Sequence, residues 1–311
     1  MPESLLVVGS IALDTLRTPH GEVKDELGGS ATFFSVAASF LAPVRLVGVV
    51  GEDFPQDFYR MFRSRAIDTT GLTVVRGGKT FRWHGSYQGA MNEATTDDVS
   101  LNVFGDFRPV IPAPFRQSRL VFLANGSPVT QGSVLDQVEK PALVVADTMN
   151  LWIQTQRDAL LALLARVDGL VLNDGEARML TGDDNLVRAG RQILTLGPKF
   201  VVIKKGEHGA LLATDARALA GEPGRDVCPL PAYPATEVRD PTGAGDSFAG
   251  GMMGYLAKTG RFDAASLVRA MAYGTVTASF AIEDFGLRRF ERLTLDEINR
   301  RLFEYHDMLA F

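Results

Sequence analysis

Short apolar runs separated by helical patterns are the feature that most constrains the fold of this chain. Runs with little polar alternation are typical of strands buried on both faces, so they predict a parallel sheet covered by helices. The predicted strands are residues 5–9, 44–50, 120–123, 143–146, 170–172 and 200–203. The predicted helices are residues 30–41, 56–65, 133–139, 157–165, 185–196, 248–257 and 264–281. We therefore expect a doubly wound α/β fold with a mostly parallel central sheet and helices on both faces.

Two segments, 14–27 and 72–102, interrupt this alternation of strands and helices. The first is short and polar, and the second contains strand-like runs such as residues 81–87, in which apolar and polar residues alternate. Such alternation is typical of half-exposed antiparallel strands. We expect both segments to form a small β-sheet lid over the ends of the central strands, within a single domain that spans residues 1–311.

One face of this predicted lid is aromatic. Because successive side chains of a strand point to opposite faces, Phe81, Trp83 and Tyr87 are expected on one face, and Arg82 and His84 on the other. The aromatic face could stack on a nucleobase, pack within the lid, or join two lids in a homodimer. Packing is the favoured interpretation.

Composition argues against several classes of protein. The net charge of −5 gives no basic surface of the kind that binds nucleic acid. The single cysteine, Cys228, cannot form an internal disulfide, which fits a reducing cytoplasm. No apolar stretch approaches the length of a membrane span, and residues 1–4 lack the basic start of a signal peptide. We expect a cytoplasmic protein with no nucleic-acid or membrane partner.

Residues 240–251, DPTGAGDSFAGG, carry the clearest chemical signal. Without bulky side chains, backbone N–H groups can surround an anion, and the helix that follows adds the positive end of its dipole. The candidate donors are the amides of Gly243, Ala244, Gly245 and Asp246. The carboxylate of Asp246 could accept a proton beside the bound charge, as phosphoryl transfer to a hydroxyl requires. An ordinary loop with an N-capping aspartate is the structural alternative.

Other nucleotide-binding patterns are disfavoured. The sequence Gly78-Lys79-Thr80 lacks the glycine that a P-loop needs at position 73, and a strand rather than a helix is expected after it. No Gly-x-Gly-x-x-Gly follows the first strand, so a dinucleotide-binding fold is also disfavoured. The four histidines are scattered, without the spacing of metal ligands.

Four segments, in order, resemble motifs of the ribokinase/PfkB family of carbohydrate kinases. They are GGSATF at 28–33 followed by VGVVGED at 47–53, NDGE at 173–176, KKGEHGA at 204–210, and residues 240–251. The resemblance covers roughly residues 5–290. It implies a ribokinase-like fold and an ATP-dependent kinase that uses Mg²⁺.

The resemblance also implies an acceptor site. Asp14 lies just past the first strand, where open α/β folds bind ligands, and its carboxylate could accept hydrogen bonds from vicinal hydroxyls. The backbone at Gly28 and Gly29 would approach the acceptor closely. Many sugar kinases of the family carry Asn at the position of Phe33, which here either packs in the core or lines the pocket. Asn125, after another predicted strand, is a candidate substitute polar contact or an ordinary loop residue.

The nucleotide and its metal are implied at other strand ends. Asn173 and Glu176 lie three residues apart, on one face of a first helical turn, and would hold Mg²⁺ through its waters. A capping pair is the alternative. Lys204 and Gly206 would lie beside ATP, although Lys204 could equally be a solvated lysine. Thr242 could add a hydroxyl to the phosphate site.

A monovalent-cation site is a further implication of the resemblance. Asp240 matches a position that takes part in such a site in relatives. The apparent partner segment contains Asp284, which departs from the small residue often found there. Activation by K⁺ is therefore left open.

We expect transfer of the γ-phosphoryl group of ATP to a hydroxymethyl group, with Asp246 as the base. A sugar, a sugar phosphate and a nucleoside all remain as acceptors. Phe33 and the aromatic lid face favour a nucleoside, whereas Lys79 and Arg82 favour a sugar phosphate. The alternative from another class is a non-catalytic sugar-binding protein on the same fold.

Overall fold

Two β-sheets form the framework of the protein, whose computed structural model describes residues 3–215 and 226–310. The strands are β1 (Leu5–Val8), β2 (Ala12–Thr18), β3 (Gly21–Gly28), β4 (Val44–Gly51), β5 (Ile67–Val75), β6 (Phe81–Tyr87), β7 (Ala94–Ser100), β8 (Leu120–Leu123), β9 (Leu143–Asp147), β10 (Gly169–Asn173), β11 (Phe200–Lys204), β12 (Ala210–Thr214) and β13 (Val227–Leu230). The main sheet has the order β13-β12-β11-β10-β9-β8-β1-β4-β5. All strands from β11 to β5 in this order are parallel, and only β12 and β13 are antiparallel to their neighbours in the described part of the sheet. The predicted doubly wound, mostly parallel sheet is confirmed.

Helices cover both faces of the main sheet. They are α1 (Ser30–Ala38), α2 (Gln56–Ser64), α3 (Pro128–Leu135), α4 (Asn150–Thr155), α5 (Arg157–Leu164), α6 (Asp174–Thr181), α7 (Leu186–Leu194), α8 (Ala244–Thr259), α9 (Ala264–Ala281), α10 (Arg288–Arg292) and α11 (Leu295–Leu309). Alternation along the strands divides the core in two. Leu5 and Val7 of β1 pack on the side of α1, α8 and α9, whereas Leu6 and Val8 pack on the side of α5, α6 and α7.

Three strands of the main sheet are missing from the sequence-based prediction. The strand β5 is an edge strand in which Ile67 and Gly71 are buried and most other residues are not, so it lacks a continuous apolar run. The antiparallel strands β12 and β13 extend the other end of the sheet. The helix predicted at 133–139 also differs, because α3 begins earlier, with Pro128 in its first turn.

The lid is a four-stranded sheet of order β3-β2-β6-β7. The pairs β2–β3 and β6–β7 are antiparallel, as expected, but β2 and β6 are parallel to each other. The prediction that the second lid segment begins at residue 72 is wrong, because residues 72–75 belong to β5. The side chain and amide of Thr80 both donate to Asp53 Oδ1, at 2.7 Å, and so attach the start of β6 to the main domain.

No helix in the described part of the chain is long and apolar enough to cross a membrane.

Candidate active site

A cavity of about 1420 Å³ lies between the lid and the carboxyl ends of the main-sheet strands. Its walls include residues that follow β1, β8 and β9, the lid strand β6, and the first turn of α8. Ligands of open α/β folds bind at this edge of the sheet, because the loops and helix N-termini converge there. The cavity brings together most of the side chains that the sequence singled out.

The first turn of α8 presents backbone amides to this cavity. Gly243 caps the helix in a left-handed conformation with φ of 71°, and its carbonyl accepts a hydrogen bond from the amide of Ser247 at 2.8 Å. The amides of Gly243 and Gly245 donate to no acceptor among residues 3–215 and 226–310. The prediction for Ala244 is corrected, because its amide donates to the carbonyl of Pro241 at 3.2 Å. Two unpartnered amides and the dipole of a 16-residue helix therefore remain for an anion.

Asp246 lies in the same first turn and lines the cavity, from which it is partly accessible. Burial, together with the negative charge of Asp147, raises the pKa of its carboxyl to about 7, and Lys204 opposes this rise. The amide of Asp246 hydrogen-bonds its own carboxylate. A carboxyl with this pKa exchanges protons near neutral pH, as a general base must.

Lys204 occupies the middle of a carboxylate cluster. Its Nζ lies 3.6 Å from Asp147 Oδ2, and a Cβ at position 245 would lie only 3.0 Å from it. Burial alone would lower the pKa of Lys204, but the charges of Asp147, Glu176 and Asp246 outweigh burial and raise it. The ammonium group is therefore charged, and it lies beside the amide-bearing turn of α8.

Asp147 was missed by the sequence analysis. It ends β9, only 4% of its surface is exposed, and it lines the cavity. Burial raises its pKa, while Lys204 and the amide of Thr148 oppose this rise. A polar residue directly after the apolar run 143–146 is the signal that could have identified it, since the same reasoning selected Asn125 after the run 120–123.

Asn173 and Glu176 form a capping box at the start of α6. Asn173 Oδ1 accepts from the amide of Glu176 at 2.8 Å, and Glu176 Oε2 accepts from the amide of Asn173 at 2.7 Å. Only Glu176 lines the cavity; Asn173 is exposed. Burial raises the pKa of Glu176 to about 7, and the charge of Asp147 adds to this. The capping interpretation is confirmed, and it leaves Glu176 Oε1 outside the capping pair.

Asp14 lies in the lid strand β2, lines the cavity and is 4% exposed. Its Oδ1 has no hydrogen-bond partner among the described residues. A Cβ at Gly28 would lie 1.8 Å from its Oδ2, so any larger residue there would displace the carboxylate of Asp14. Burial raises the pKa of Asp14 to about 8, the charge of Asp240 adds to this rise, and a hydrogen bond from the amide of Gly29 opposes it.

Phe33 forms part of the cavity floor and is 1% exposed. A Cβ at Gly243 would lie 2.3 Å from its ring, so the ring packs directly against the αL turn at the start of α8. Both interpretations of Phe33 from the sequence therefore hold in part. It is a core residue, and it supports the turn from which the Gly243 amide projects.

The side chain of Asn125 is used inside the protein. Its Oδ1 accepts from Trp152 Nε1 at 2.9 Å, and its Nδ2 donates to Met149 Sδ at 3.2 Å. Asn125 lines the cavity, but these two bonds engage its amide. Its clearest contribution is therefore to hold Trp152 at the cavity wall.

Two side chains, those of Asp240 and Thr242, connect the glycine-rich turn at the start of α8 to its surroundings. Asp240 is fully buried, and its two oxygens accept from the amides of Thr242 and Gly286, each at 2.9 Å. Thr242 Oγ1 lies 3.2 Å from the hydroxyl of Tyr87 in the lid. Asp284, the residue that departs from the family pattern, pairs with Arg292 at 2.6 Å.

The predicted faces of the lid are observed. Phe81, Trp83 and Tyr87 line the cavity, whereas Arg82 forms ion pairs with Asp25 and Asp53. The short 3₁₀ turn at Gly206–His208 lies outside the cavity wall, so the structure does not bring Gly206 together with the other site residues.

The fold and the site together define a phosphotransferase that acts on an alcohol group. A family model described as pfkB family carbohydrate kinase matches residues 3–292. The chain belongs to the pfkB family of carbohydrate kinases, and it is a sugar or nucleoside kinase.

Individual relatives differ in the acceptor that their names state. The chain is 30% identical over 254 residues to a cytidine kinase of Thermococcus kodakarensis, which covers 80% of this chain and 87% of the relative. It is 26% identical over 316 residues to an inositol 3-kinase of Arabidopsis thaliana, which covers 96% of this chain and 80% of the relative. The crystal structure of a Methanocaldococcus jannaschii nucleoside kinase, an archaeal member of the ribokinase family, shares the fold, with a TM-score of 0.76, 20% identity, and coverage of 97% and 98% of the two chains.

Proposed function

We propose that this kinase transfers the γ-phosphoryl group of Mg·ATP to a hydroxymethyl group of a neutral sugar or nucleoside, with Asp246 as the general base. One observation carries the proposal. Asp246 and the unpartnered amides of Gly243 and Gly245 belong to one helical turn that opens into the cavity. Phosphoryl transfer needs donors for the migrating group and a base for the acceptor, and this turn offers both.

Different groups of the protein have different roles in the proposed reaction. The carboxylate of Asp246 accepts the proton of the acceptor hydroxyl as its oxygen bonds to the γ-phosphorus of ATP, while the bond from that phosphorus to the bridging oxygen breaks and ADP leaves. The amides of Gly243 and Gly245 donate to oxygens of the migrating phosphoryl group, and the N-terminal end of α8 favours its negative charge. The ammonium group of Lys204 adds a positive charge beside the same turn. Closure of the lid keeps water away from the phosphoryl group.

The carboxylates near Lys204 fit a hydrated Mg²⁺. Glu176 and Asp147 both line the cavity, and the charge of Asp147 raises the pKa of Glu176, an effect that a divalent cation would relieve. Within the described ranges no three His, Cys, Asp or Glu side chains form a ready metal cage, which suits Mg²⁺, since it retains waters and binds phosphate oxygens together with few carboxylates. Bound Mg²⁺ would neutralise charge on the phosphates. Asn173 would act indirectly, by fixing Glu176.

The cavity wall around Asp14 supports a neutral acceptor. Asp14, with its unpartnered Oδ1, is suited to bind hydroxyl groups, and the backbone at Gly29 lines the same wall. The two basic residues that favoured a sugar phosphate are not placed to bind one. Arg82 is paired with Asp25 and Asp53, and Lys79 is exposed outside the cavity wall.

Two further expectations stay predictions. Asp240 would contribute to a monovalent-cation site, where its two oxygens accept from the amides of Thr242 and Gly286. A homodimer through the lid also remains a prediction. Comparison of kcat in potassium and sodium salts tests the first, and sedimentation equilibrium of the purified protein tests the second.

The test of the proposed function is an acceptor panel. The purified protein is incubated with ATP and Mg²⁺ and with ribose, fructose, myo-inositol, ribose 5-phosphate, cytidine or adenosine. ADP and the phosphorylated product are measured together. We expect product from at least one neutral acceptor, and loss of turnover when EDTA removes the metal. Turnover with the sugar phosphate alone, or full activity in EDTA, would refute the proposal.

A further inference from the structure

Both tryptophans of the chain line the active-site cavity. Trp83 lies on the lid strand β6, and Trp152 lies on the short helix α4, which follows β9 of the main sheet. The two indoles therefore come from different walls, one from the lid and one from the main domain. Neither has a role in the phosphoryl transfer described above.

Trp83 is held in one orientation. Its Nε1 donates to Thr96 Oγ1 on the neighbouring strand β7 at 3.1 Å. Three atoms of its six-membered ring would lie 2.1, 2.4 and 2.6 Å from a Cβ at Gly85. The ring thus covers Gly85 with its face, and any larger residue at that position would displace it. A glycine in the middle of a strand otherwise weakens the strand, so its presence here fits a requirement for this close approach.

Trp152 is held in a similar way from the main domain. Its Nε1 donates to Asn125 Oδ1 at 2.9 Å, and Asn125 is itself fixed by Met149. Both indole N–H groups are therefore used within the protein, and neither is free to donate to a ligand. What the two side chains offer to the cavity is aromatic surface.

The surrounding wall is also aromatic. Phe81 stacks on Phe104 with ring centroids 5.4 Å apart, and Phe104 stacks on Phe107 at 6.0 Å. All three phenylalanines line the cavity. A polyol or a simple sugar has many hydroxyl groups that such a wall cannot satisfy, whereas a planar base gains from stacking on it.

We propose that the acceptor is a nucleoside, and that Trp83 and Trp152 together hold its base while its sugar hydroxyl reaches Asp246. This rests on the proposed function and names its substrate class. The indoles select for a planar aromatic group, and the fixed N–H groups leave them tolerant of purine and pyrimidine alike. We call the pair Trp83 and Trp152 the clamp. Ribose and myo-inositol lack the planar aromatic base that the clamp recognises.

The clamp can be tested by fluorescence, because each single variant W83F and W152F leaves one tryptophan as reporter. We expect cytidine and adenosine to change the emission of both variants in a saturable way, and ribose and myo-inositol to change neither. A nucleoside response that is absent from both variants would overturn the clamp. This measurement needs no turnover, so it is informative even if the proposed function fails.

Steady-state kinetics provide a second test of the clamp. The variants W83L and W152L should each raise the KM for the nucleoside about tenfold, which corresponds to about 1.4 kcal/mol, with kcat changed less than about threefold. The variants W83F and W152F should recover part of that loss, because phenylalanine still stacks. F303L, which removes an exposed aromatic ring on α11, is the matched control and should leave KM unchanged.

The outcomes separate the two proposals. A KM for ribose or myo-inositol at or below that for nucleosides overturns the clamp but leaves the kinase proposal intact. Equal effects of W83L and W152L on sugar and nucleoside KM also overturn it, because the two side chains would then be merely structural. Absence of transfer to any acceptor, with saturable fluorescence changes on nucleoside addition, refutes the kinase proposal and supports the clamp.

Discussion

Asp246 shows how a single residue can combine structure and chemistry. Its position in the first turn of α8 gives it the role of an ordinary acidic residue near a helix N-terminus, which the helix dipole would stabilise in its charged form. Its surroundings act in the opposite direction, since burial and Asp147 raise its pKa to about 7. The result is a carboxyl group that is neither permanently charged nor permanently neutral at physiological pH.

We predict that activity depends on pH through Asp246. A base must be deprotonated, so kcat/KM should fall about tenfold per pH unit as the pH drops below about 7. The substitution Asp246→Asn should lower kcat by about 10²–10⁴ with little change in acceptor binding, and should remove this acidic limb. Steady-state rates between pH 5 and 9 check both. An undiminished rate in the variant would exclude Asp246 as the base.

Asp14 illustrates the cost of a buried carboxylate to stability. Burial raises its pKa from the ordinary value of 3.8 to about 8 in the folded protein, so folding takes up a proton between these two pH values. Stability from this group is therefore full below pH 3.8 and is lost as the pH rises toward 8. A substrate hydroxyl donating to Asp14 would compensate for this cost when bound.

We predict that Asp14→Asn stabilises the free protein at pH 8 by at least about 1 kcal/mol while weakening acceptor binding, because the amide carries no charge to bury. The gain should shrink as the pH falls and should vanish only below pH 3.8, where the carboxyl is protonated in both the folded and the unfolded wild type. Urea unfolding at pH 5 and pH 8 measures it. A variant less stable than wild type at pH 8 would show that Asp14 is needed for folding.

At the scale of elements, α8 has a left-handed glycine at each end. Gly243 at its start has φ of 71° and Gly260 at its end has φ of 63°. A Cβ at Gly243 would collide with the Phe33 ring at 2.3 Å, whereas one at Gly260 would meet nothing within 4 Å. The two positions therefore share the backbone conformation and differ only in their neighbours.

We predict that Gly260→Ala costs about 1 kcal/mol of stability and leaves kcat unchanged, since it pays only for the left-handed conformation. Gly243→Ala should cost more and should lower kcat at least about 100-fold, because Phe33 or the anion-binding turn must move. Chemical denaturation and steady-state kinetics of the two variants provide the comparison. Similar activity in both would mean that the Gly243 turn does not need its observed geometry.

A hydrogen bond between the side chains of Tyr87 and Thr242 joins the lid to the glycine-rich turn at the start of α8. The hydroxyl of Tyr87 meets Thr242 Oγ1 at 3.2 Å, and burial raises the pKa of this tyrosine to about 12, so the hydroxyl stays protonated at physiological pH. Asn92 makes another lid contact, donating to Glu207 Oε1 at 3.0 Å, but both residues are exposed. The partly buried bond between Tyr87 and Thr242 is therefore better suited than the exposed one to align the lid with the proposed phosphoryl site.

We predict that Tyr87→Phe lowers kcat about fivefold to tenfold with a small change in the KM for ATP, since one net hydrogen bond contributes about 1 kcal/mol. Asn92→Ala should change kcat less than about twofold. A double-mutant cycle with Thr242→Val tests the pairing directly. Additive effects of Tyr87→Phe and Thr242→Val would show that the bond does not link lid to turn.

At the scale of the whole molecule, the cavity is lined by both the lid and the main domain, which share buried core residues such as Leu13 and Leu27 and are also joined by ion pairs. Arg288 pairs with Glu26 of the lid, and Arg82 pairs with Asp53 of the main domain. Ligands that touch both the lid and the main domain should therefore stabilise the closed arrangement. The nucleotide and the acceptor are proposed to occupy this one cavity.

We predict that nucleotide and acceptor raise the melting temperature more together than the sum of their separate effects. A ligand at 100 times its Kd adds about 2.7 kcal/mol to the free energy of unfolding, and lid closure would couple the two sites. Thermal shift with ADP·Mg²⁺, with cytidine, and with both measures this. Strictly additive shifts would show that the two sites are independent.

Much of this arrangement is local enough for a sequence to predict. The buried strands were recognised because strands covered on both faces are apolar throughout, and α8 was recognised from the glycine-rich turn before it. Edge strands such as β5 were missed, because their exposed positions carry polar residues that resemble a loop. Asp147 was missed because a single carboxylate after a strand does not reveal which residues lie near it in the folded protein. The structure shows that it lies 3.6 Å from the ammonium group of Lys204.

The sequence alone determined the alternating α/β pattern, the glycine-rich turn at the start of α8 and the position of Asp246 in it, because each depends on neighbours within a few residues. Only the tertiary structure decided that Asn125 holds Trp152 and that Phe33 lies under Gly243. These are contacts between distant segments, and they depend on how helices and strands pack. The pKa values of Asp14, Glu176 and Asp246 belong to the same class, because burial and neighbouring charges are properties of the folded cavity.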